Sequence, residues 1–294
     1  MSKIKVVGVG GSGCATAEKM EACSGCHLVA VHTDAMSLLK YKVHDKILVG
    51  KAVTRGRSTG NNISLGEEAA LSDRDRISEV LGDCDVVFLV AGLGGGTGAG
   101  ASPIVAEEAK GHGSAVIAFV NIPFTAEGKV CRSNADNGIS RLRPFCNLIV
   151  VVENDRFLKL VHDLSIRDAF TTVNRIILEA VTGMVVLIED SGLENIMPML
   201  RGYATLGHGV GSNPRKALRA ALDSPLIGAD ISTASGVLLN FTSHSKSVEG
   251  IQPALEELNS NISSAAGVVW TNTADDSAEA VEVLALFSGV ELTV

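Results

Sequence analysis

The sequence has no basic excess. Its 294 residues carry 25 Lys and Arg against 33 Asp and Glu, a formal net charge of −8. That balance argues against a generic surface for nucleic acid or anionic lipid, and no block of like charges is long enough to act as a tail. No apolar run reaches the length of a membrane span, and Ile4–Val9 follows Met1 without the basic, apolar and small-residue steps of a signal sequence. These absences lead to the expectation of a soluble, cytoplasmic protein with no direct membrane binding. Disulfides are not required either. The six cysteines, Cys14, Cys23, Cys26, Cys84, Cys131 and Cys146, are scattered through a chain that is 46% hydrophobic and able to build a core. Cys23-Ser24-Gly25-Cys26-His27 matches the C-x-x-C-H pattern of haem attachment. Haem attachment implies export, and a four-ligand zinc site would need a second pair of ligands nearby, which is missing. Internal repeats and low-complexity segments are missing as well.

What is present is an alternation. Short apolar runs at Ile4–Val9, Leu28–Val31, Ile47–Val49, Val86–Ala91, Ala115–Val120 and Leu148–Val152 read as buried strands, and helical patterns separate most of them. This order predicts an α/β domain with a doubly wound parallel sheet. From Ile166 the apolar residues recur at three- and four-residue steps through Met184, one face of a long core helix. Asn213-Pro214 then offers a cap and a first helical proline for a helix through Leu222. A strand near Ser235–Thr242, a helix near Val248–Ile262 and strands near Gly267–Thr271 and Glu279–Ser288 complete a smaller α+β unit. The expected division is residues 1–182, including the core helix, and residues 183–294.

Two glycine loops carry the chemistry. Ala91 to Gly100 includes Gly94, Gly95, Gly96, Thr97 and Gly98, follows a strand and opens a helix. Backbone N–H groups can approach an anion there without Cβ obstruction, the helix adds its positive end, and Thr97 adds a hydroxyl. A branched side chain at Gly96 is expected to obstruct such a ligand. No Gly-Lys-Ser/Thr follows, so this is not the phosphate loop of most nucleotide hydrolases. The other loop, Gly8 to Gly13 with Gly10, Gly11 and Ser12, fits G-x-G-x-x-G, and Asp34 follows about twenty residues later. Alone it would suggest a nicotinamide-dependent oxidoreductase. A second phosphate loop fits a nucleoside triphosphate better, because three phosphates need donors from several strand ends.

The sequence Gly94-Gly95-Gly96-Thr97-Gly98-Ala99-Gly100 resembles the signature of the tubulin/FtsZ family of polymerising GTPases, and the resemblance extends over nearly the whole chain. Gly8–Met20 is similar to the family's first nucleotide loop and helix, Val31–Leu38 to the loop after the second strand, and Thr54–Gly66 to the loop that reaches the terminal phosphate. Pro123–Gly128 resembles the ribose-side loop, which puts Glu127 at the sugar. Glu153-Asn154-Asp155 resembles the turn whose Asn meets guanine, and Phe170 and Asn174 would share the base. The resemblance implies GTP or GDP as ligand and magnesium carried by the phosphates, with no dedicated metal-ligand cluster. It further implies that Asp34 helps order the shell around the phosphates and metal, and that partners are copies of the chain or another FtsZ/tubulin-like subunit. Ser235–Phe241 and Phe287-Ser288-Gly289 match the family's second domain.

The departures are informative. Ala15 stands where the family usually has Asn near the phosphates, and Cys131 holds an arginine register, with Arg132 adjacent as a candidate substitute. After Gly192-Leu193-Glu194-Asn195 the family has aspartates that reach the nucleotide of the next subunit and help activate water. Here those positions read Met197 and Leu200, and the following helix is expected to be about two turns shorter. Methionine and leucine cannot orient or deprotonate water, so hydrolysis is expected to be slow or absent, with Glu194 as the one nearby carboxylate able to substitute. Family members also continue into a linker and an adaptor-docking peptide, whereas Val294 is the last residue here. The expected function is assembly or regulation of a filament. An active self-assembling GTPase, a non-polymerising regulator and the oxidoreductase remain alternatives.

Overall fold

The computed structural model describes residues 2–22, 25–158, 166–244 and 249–292. Two compact units divide the chain, one of residues 1–149 with 153–178 and the other of 150–152 with 179–294. In the first, the chain alternates β1 (Ile4–Val9), α1 (Gly10–Glu18), β2 (Cys26–His32), α2 (Ala35–Lys40) and β3 (Asp45–Leu48). Three helices follow, α3 (Lys51–Thr54), α4 (Ile63–Ser72) and α5 (Arg74–Leu81). Then come β4 (Val86–Gly92), α6 (Gly96–Gly111), β5 (Ala115–Ile122), α7 (Lys129–Leu142), β6 (Leu148–Glu153), α8 (Asn154–Phe157) and α9 (Ile166–Ser191), of which the middle of β6, residues 150–152, and the part of α9 from Glu179 onward fall in the second unit.

The strands lie in the order β3-β2-β1-β4-β5-β6. The pairs β1–β2, β1–β4, β2–β3 and β4–β5 are all parallel. Continuous apolar strands are required because helices cover a sheet of this kind on both faces. All eight residues of β5 are buried. The order reverses between β1 and β4, so the helices that follow these two strands start side by side at the sheet's carboxyl edge. Ligands of doubly wound sheets bind at that crevice.

In the second unit, α10 (Leu193–Ile196) and a 3-10 turn over Met197–Met199 lead into β7 (Gly202–Gly211), α11 (Pro214–Leu222), β8 (Gly236–Ser243), α12 (Ile251–Asn259), β9 (Gly267–Ala274) and β10 (Val281–Val290). The strand order is β7-β10-β8-β9, antiparallel except for β8–β9. Phe241, Phe287, Leu239, Val283 and Leu258 are among its core. The Asn213 side chain accepts from the Lys216 N–H at 2.9 Å, with Pro214 at the first turn, as the sequence predicts.

Strand β7 was not foreseen, because glycine is depleted in strands and this one holds Gly202, Gly207, Gly209 and Gly211. The reason is close packing: a Cβ on Gly209 would sit 2.2 Å from the Ala221 N and 2.3 Å from the Ala217 O of α11. Helix α12 begins at Ile251, and Val248, from which a helix was expected, lies outside the described residues, as do Cys23 and Ser24 of the C-x-x-C-H match. His27 stacks on His44 and its Nε2 lies 2.6 Å from Asp45 Oδ2, an ordinary surface pair.

One stretch, Phe170–Ser191 of α9, is long and apolar enough by composition to cross a membrane, contrary to the sequence expectation. Its buried face, with Val173, Ile177, Ala180, Val181 and Met184, makes it a core helix.

Candidate functional site

The carboxyl edge of the first unit's sheet holds a cavity of about 330 Å³. Gly10, Gly11, Ser12, Asp34, Gly94, Gly95, Gly96, Thr97, Gly98, Glu127, Asn154 and Phe170 all line it, so both glycine loops, the turn at Asp34, the loop of Glu127, the turn of Asn154 and helix α9 converge on one space. Asn174 is not among the lining residues. Its Oδ1 accepts a hydrogen bond from the buried Thr16 hydroxyl at 3.2 Å.

A missing side-chain cap is shared by α1 and α6 with α3, α7 and α12, so it is their position at the cavity that sets α1 and α6 apart. Helices α2, α4 and α11 are each closed by a side chain, from Asp34, Asn62 and Asn213 respectively. Helices α1 and α6, which open onto the cavity, have no side-chain cap and no acidic residue in the first turn. Their first N–H groups are therefore available, and the positive helix ends favour an anion. The loops also interlock: Gly10 takes φ +71°, and a Cβ there would lie 3.0 Å from the Gly98 N.

The glycines of the second loop differ in what surrounds them. A Cβ on Gly96 would lie 2.3 Å from the Asn62 O and 2.6 Å from the Thr59 Oγ1, so this glycine is required by the packing of α6 on the loop before α4. A Cβ on Gly95 would meet nothing within 4 Å, and Gly95 lines the cavity.

Around the loops, hydroxyls cluster: Thr97 Oγ1 lies 2.8 Å from Thr33 Oγ1 and 3.4 Å from Thr59 Oγ1. The Asp34 carboxylate accepts the Ser37 N–H at 2.7 Å, and this bonding holds it below its usual pKa. Asn154 is 1% exposed, and its Nδ2 has no partner among the described residues, an orphaned donor at the cavity wall. Its Oδ1 accepts from Asn121 Nδ2 at 3.4 Å. The Phe170 ring meets Phe124 edge-on at 5.0 Å. Asp155 accepts from both the Thr125 N–H and the Thr125 hydroxyl, tying the loop of Glu127 to the turn of Asn154. Glu127 Oε1 itself accepts the Phe124 N–H at 2.7 Å and closes its own loop.

His32, Ser37, Ser58, Thr59 and Asn61 lie in the segments likened to nucleotide loops but were not named individually, and Asn121 lay outside every such segment, yet all six line the cavity. For His32 and Asn121 a signal existed, since both sit at the carboxyl ends of strands next to the loops. Cys131, in the arginine register, is buried, and its Sγ accepts from Asn61 Nδ2 at 3.7 Å. Arg132 pairs with Asp136 and is not among the lining residues.

In the second unit, Glu194 and Asn195 are exposed, Met197 is half-buried and Leu200 is 2% exposed. The loop is anchored inward at Met199, whose carbonyl accepts from the buried Ser288 hydroxyl at 2.6 Å. Among the described residues no three His, Cys, Asp or Glu side chains converge as a metal-holding group.

Fold and site together define a tubulin/FtsZ-type GTPase. Residues 3–162 match the Tubulin/FtsZ family GTPase domain, and residues 202–291 match the FtsZ family C-terminal domain. Cell division protein FtsZ 1 of Pyrococcus woesei is 38% identical over 302 residues, covering 98% of this chain and 82% of that protein. Cell division protein FtsZ of Haloferax mediterranei is 39% identical over 304 residues, covering 99% and 81%. Among solved structures, an empty FtsZ dimer from M. jannaschii superposes with a TM-score of 0.93 at 35% identity, covering 98% of this chain and 88% of that one. A GTPgS-bound protofilament of CetZ2 from Haloferax volcanii shares the fold, with a TM-score of 0.85 at 22% identity over 98% and 93% of the two chains. The chain belongs to the FtsZ family. Its GTPase domain implies GTP or GDP as the ligand, and it takes in the G-x-G-x-x-G loop and Asp34 on which the oxidoreductase alternative rested.

Proposed function

We propose that this chain binds GTP in the carboxyl-edge cavity and uses it to assemble into, or regulate, a cytoplasmic filament while hydrolysing it slowly. Partners would be further copies of the chain or another FtsZ-like subunit, with no role for nucleic acid or direct membrane contact. The observation that carries the slow-hydrolysis reading is the loop after α10. It offers no aspartate at Met197 or Leu200, and the Leu200 side chain is buried, so even its direction is wrong for reaching a neighbour.

In this reading the uncapped ends of α1 and α6, through Gly10, Gly11, Ser12 and Gly94 to Gly98, take the phosphates. Glu127 takes the ribose. Asn154 offers its orphaned Nδ2 to the base, Phe170 its ring, and Asn174 an amide if Thr16 releases it. Asp34 fixes the loop beside the phosphates by capping α2. Magnesium would arrive on the triphosphate and supply charge neutralisation there, since Mg²⁺ keeps water and substrate oxygens in its shell. Clamping phosphates and activating water are separate tasks, so binding can persist where turnover has faded.

The test is phosphate release at saturating GTP across a range of protein concentrations, with sedimentation and electron microscopy of the same samples. GTP-dependent polymer or partner binding with slow release is expected. A concentration-dependent rate like that of ordinary FtsZ proteins would overturn the reading and turn attention to Glu194, which Glu194→Ala would then probe.

A further inference from the structure

We propose that His32 is a phosphate-binding residue of this site, donating from Nε2 to an oxygen of the nucleotide's phosphate chain. The inference rests on the nucleotide reading above and assigns a residue to it that neither glycine loop contains.

His32 ends β2 at the carboxyl edge, lines the cavity and is only 7% exposed. Its two ring nitrogens have different surroundings. Nδ1 accepts the Asp34 N–H at 2.8 Å, which fixes it as the unprotonated nitrogen and puts the proton on Nε2. Nε2 has no hydrogen-bond partner among the described residues. It is also the one heavy atom near the open face of Gly11, 4.0 Å from where a side chain there would begin.

The neighbouring loop is held from the other side by the Tyr41 hydroxyl, which donates to the Gly11 carbonyl at 3.2 Å. Gly11 thus has its carbonyl engaged by Tyr41 and its bare Cα beside the imidazole N–H, in the first turn of a helix that has no cap. A donor that opens onto the cavity with no protein partner, next to an uncapped helix end, is a suitable arrangement for an anion.

The donor acts as a neutral group. Burial holds the imidazole below its ordinary pKa, with only Asp34 opposing. Protonation at Nδ1 would also set two N–H groups against each other at Asp34. What His32 contributes is therefore direction and a hydrogen bond, not charge.

Asparagine and glutamine separate the two nitrogens. In His32→Asn the amide oxygen can keep the Nδ1 role at Asp34 but reaches no farther. In His32→Gln the amide N–H can occupy the Nε2 region. Calorimetric titration of the full chain with GDP and with GTP, in magnesium at pH 7.5, compares both variants with the wild type, and thermal melts verify their folding. The expectation is that His32→Asn weakens nucleotide binding about 10- to 100-fold, the range for one hydrogen bond to a charged group, and that His32→Gln recovers most of it. Nitrogen-15 NMR of the free protein should show the Nε2–H tautomer and a shifted Nε2 resonance on adding GDP.

Equal binding by all three proteins would overturn the proposal. So would equal weakening of both variants, which would mean that His32 only supports the Asp34 turn, or a proton found on Nδ1. Failure of the wild type itself to bind GDP or GTP would instead overturn the nucleotide reading.

Discussion

The two middle glycines of the second loop should fail in opposite ways when each is changed to alanine. In Gly96→Ala, the new methyl would lie 2.3 Å from the Asn62 carbonyl oxygen and 2.6 Å from the Asn62 carbonyl carbon and the Thr59 hydroxyl. Ordinary contact needs more than 3 Å, so the turn that caps α4 must retreat by roughly 1 Å, and overpacking of this kind costs about 1–3 kcal/mol. For a domain of this size, that is a fall in melting temperature of roughly 2–12 °C. In Gly95→Ala, the backbone sits at φ −88° and ψ 156°, which any residue adopts, and nothing lies within 4 Å. Stability should be unchanged or raised by about 0.4–1 kcal/mol through the unfolded chain's lost entropy. GTP affinity should nonetheless fall about 10- to 100-fold, because the methyl occupies the space where the backbone meets the phosphates. Melting curves of the free proteins and calorimetry with GTP read the two effects independently. If Gly96→Ala melts with the wild type while Gly95→Ala binds GTP unchanged, the reasoning about which glycine faces the ligand is refuted.

Replacing the missing aspartates one at a time should divide the second unit's loop in the same manner. Leu200→Asp buries a carboxylate where a 2%-exposed leucine packs and should cost about 3–5 kcal/mol in urea denaturation, whereas Met197→Asp, half-buried, should fold normally. Wild-type stability in the double variant would contradict this. Asn154→Ala should lower GTP affinity by about 1–3 kcal/mol while costing less in stability, since the side chain's Nδ2 has no partner among the described residues and its Oδ1 has only the long 3.4 Å bond from Asn121 to lose. A matching loss of stability would mean that the amide serves the fold. Because burial lowers the His32 pKa, its contribution to stability is present above the unfolded value of about 6.5 and is lost as pH falls through that value toward the folded one. Urea midpoints between pH 7.5 and 5.5 should therefore fall more steeply for the wild type than for His32→Asn, and parallel slopes would refute it. Cys14 and Cys146, both pushed up to about 12 by burial, should resist iodoacetamide at pH 8 in the native protein and react in urea.

The sequence by itself determined the order of elements in the sheet domain and the two glycine loops that meet at its carboxyl-edge cavity. Continuous apolar runs can only be buried strands between helices, and glycine, Asn and Asp at strand ends have few other uses. It also fixed the start of α11, since Asn213-Pro214 is local chemistry that acts within four residues. Tertiary structure decided what depends on a neighbour distant in the chain. Strand β7 exists in spite of its glycines because α11 lies against them, and Gly96 is held to glycine by the Asn62 backbone packed against it. Asn174 sits on the helical face that the sequence predicts, yet Thr16 engages it outside the cavity lining. Leu200 was legible as a missing aspartate but not as a buried side chain, and His32 was legible as a strand end but not as a donor. The reason is the same in each case: residue type and spacing fix what a side chain can do, while the direction of a Cβ or a ring nitrogen is set by contacts between segments that the sequence keeps far apart.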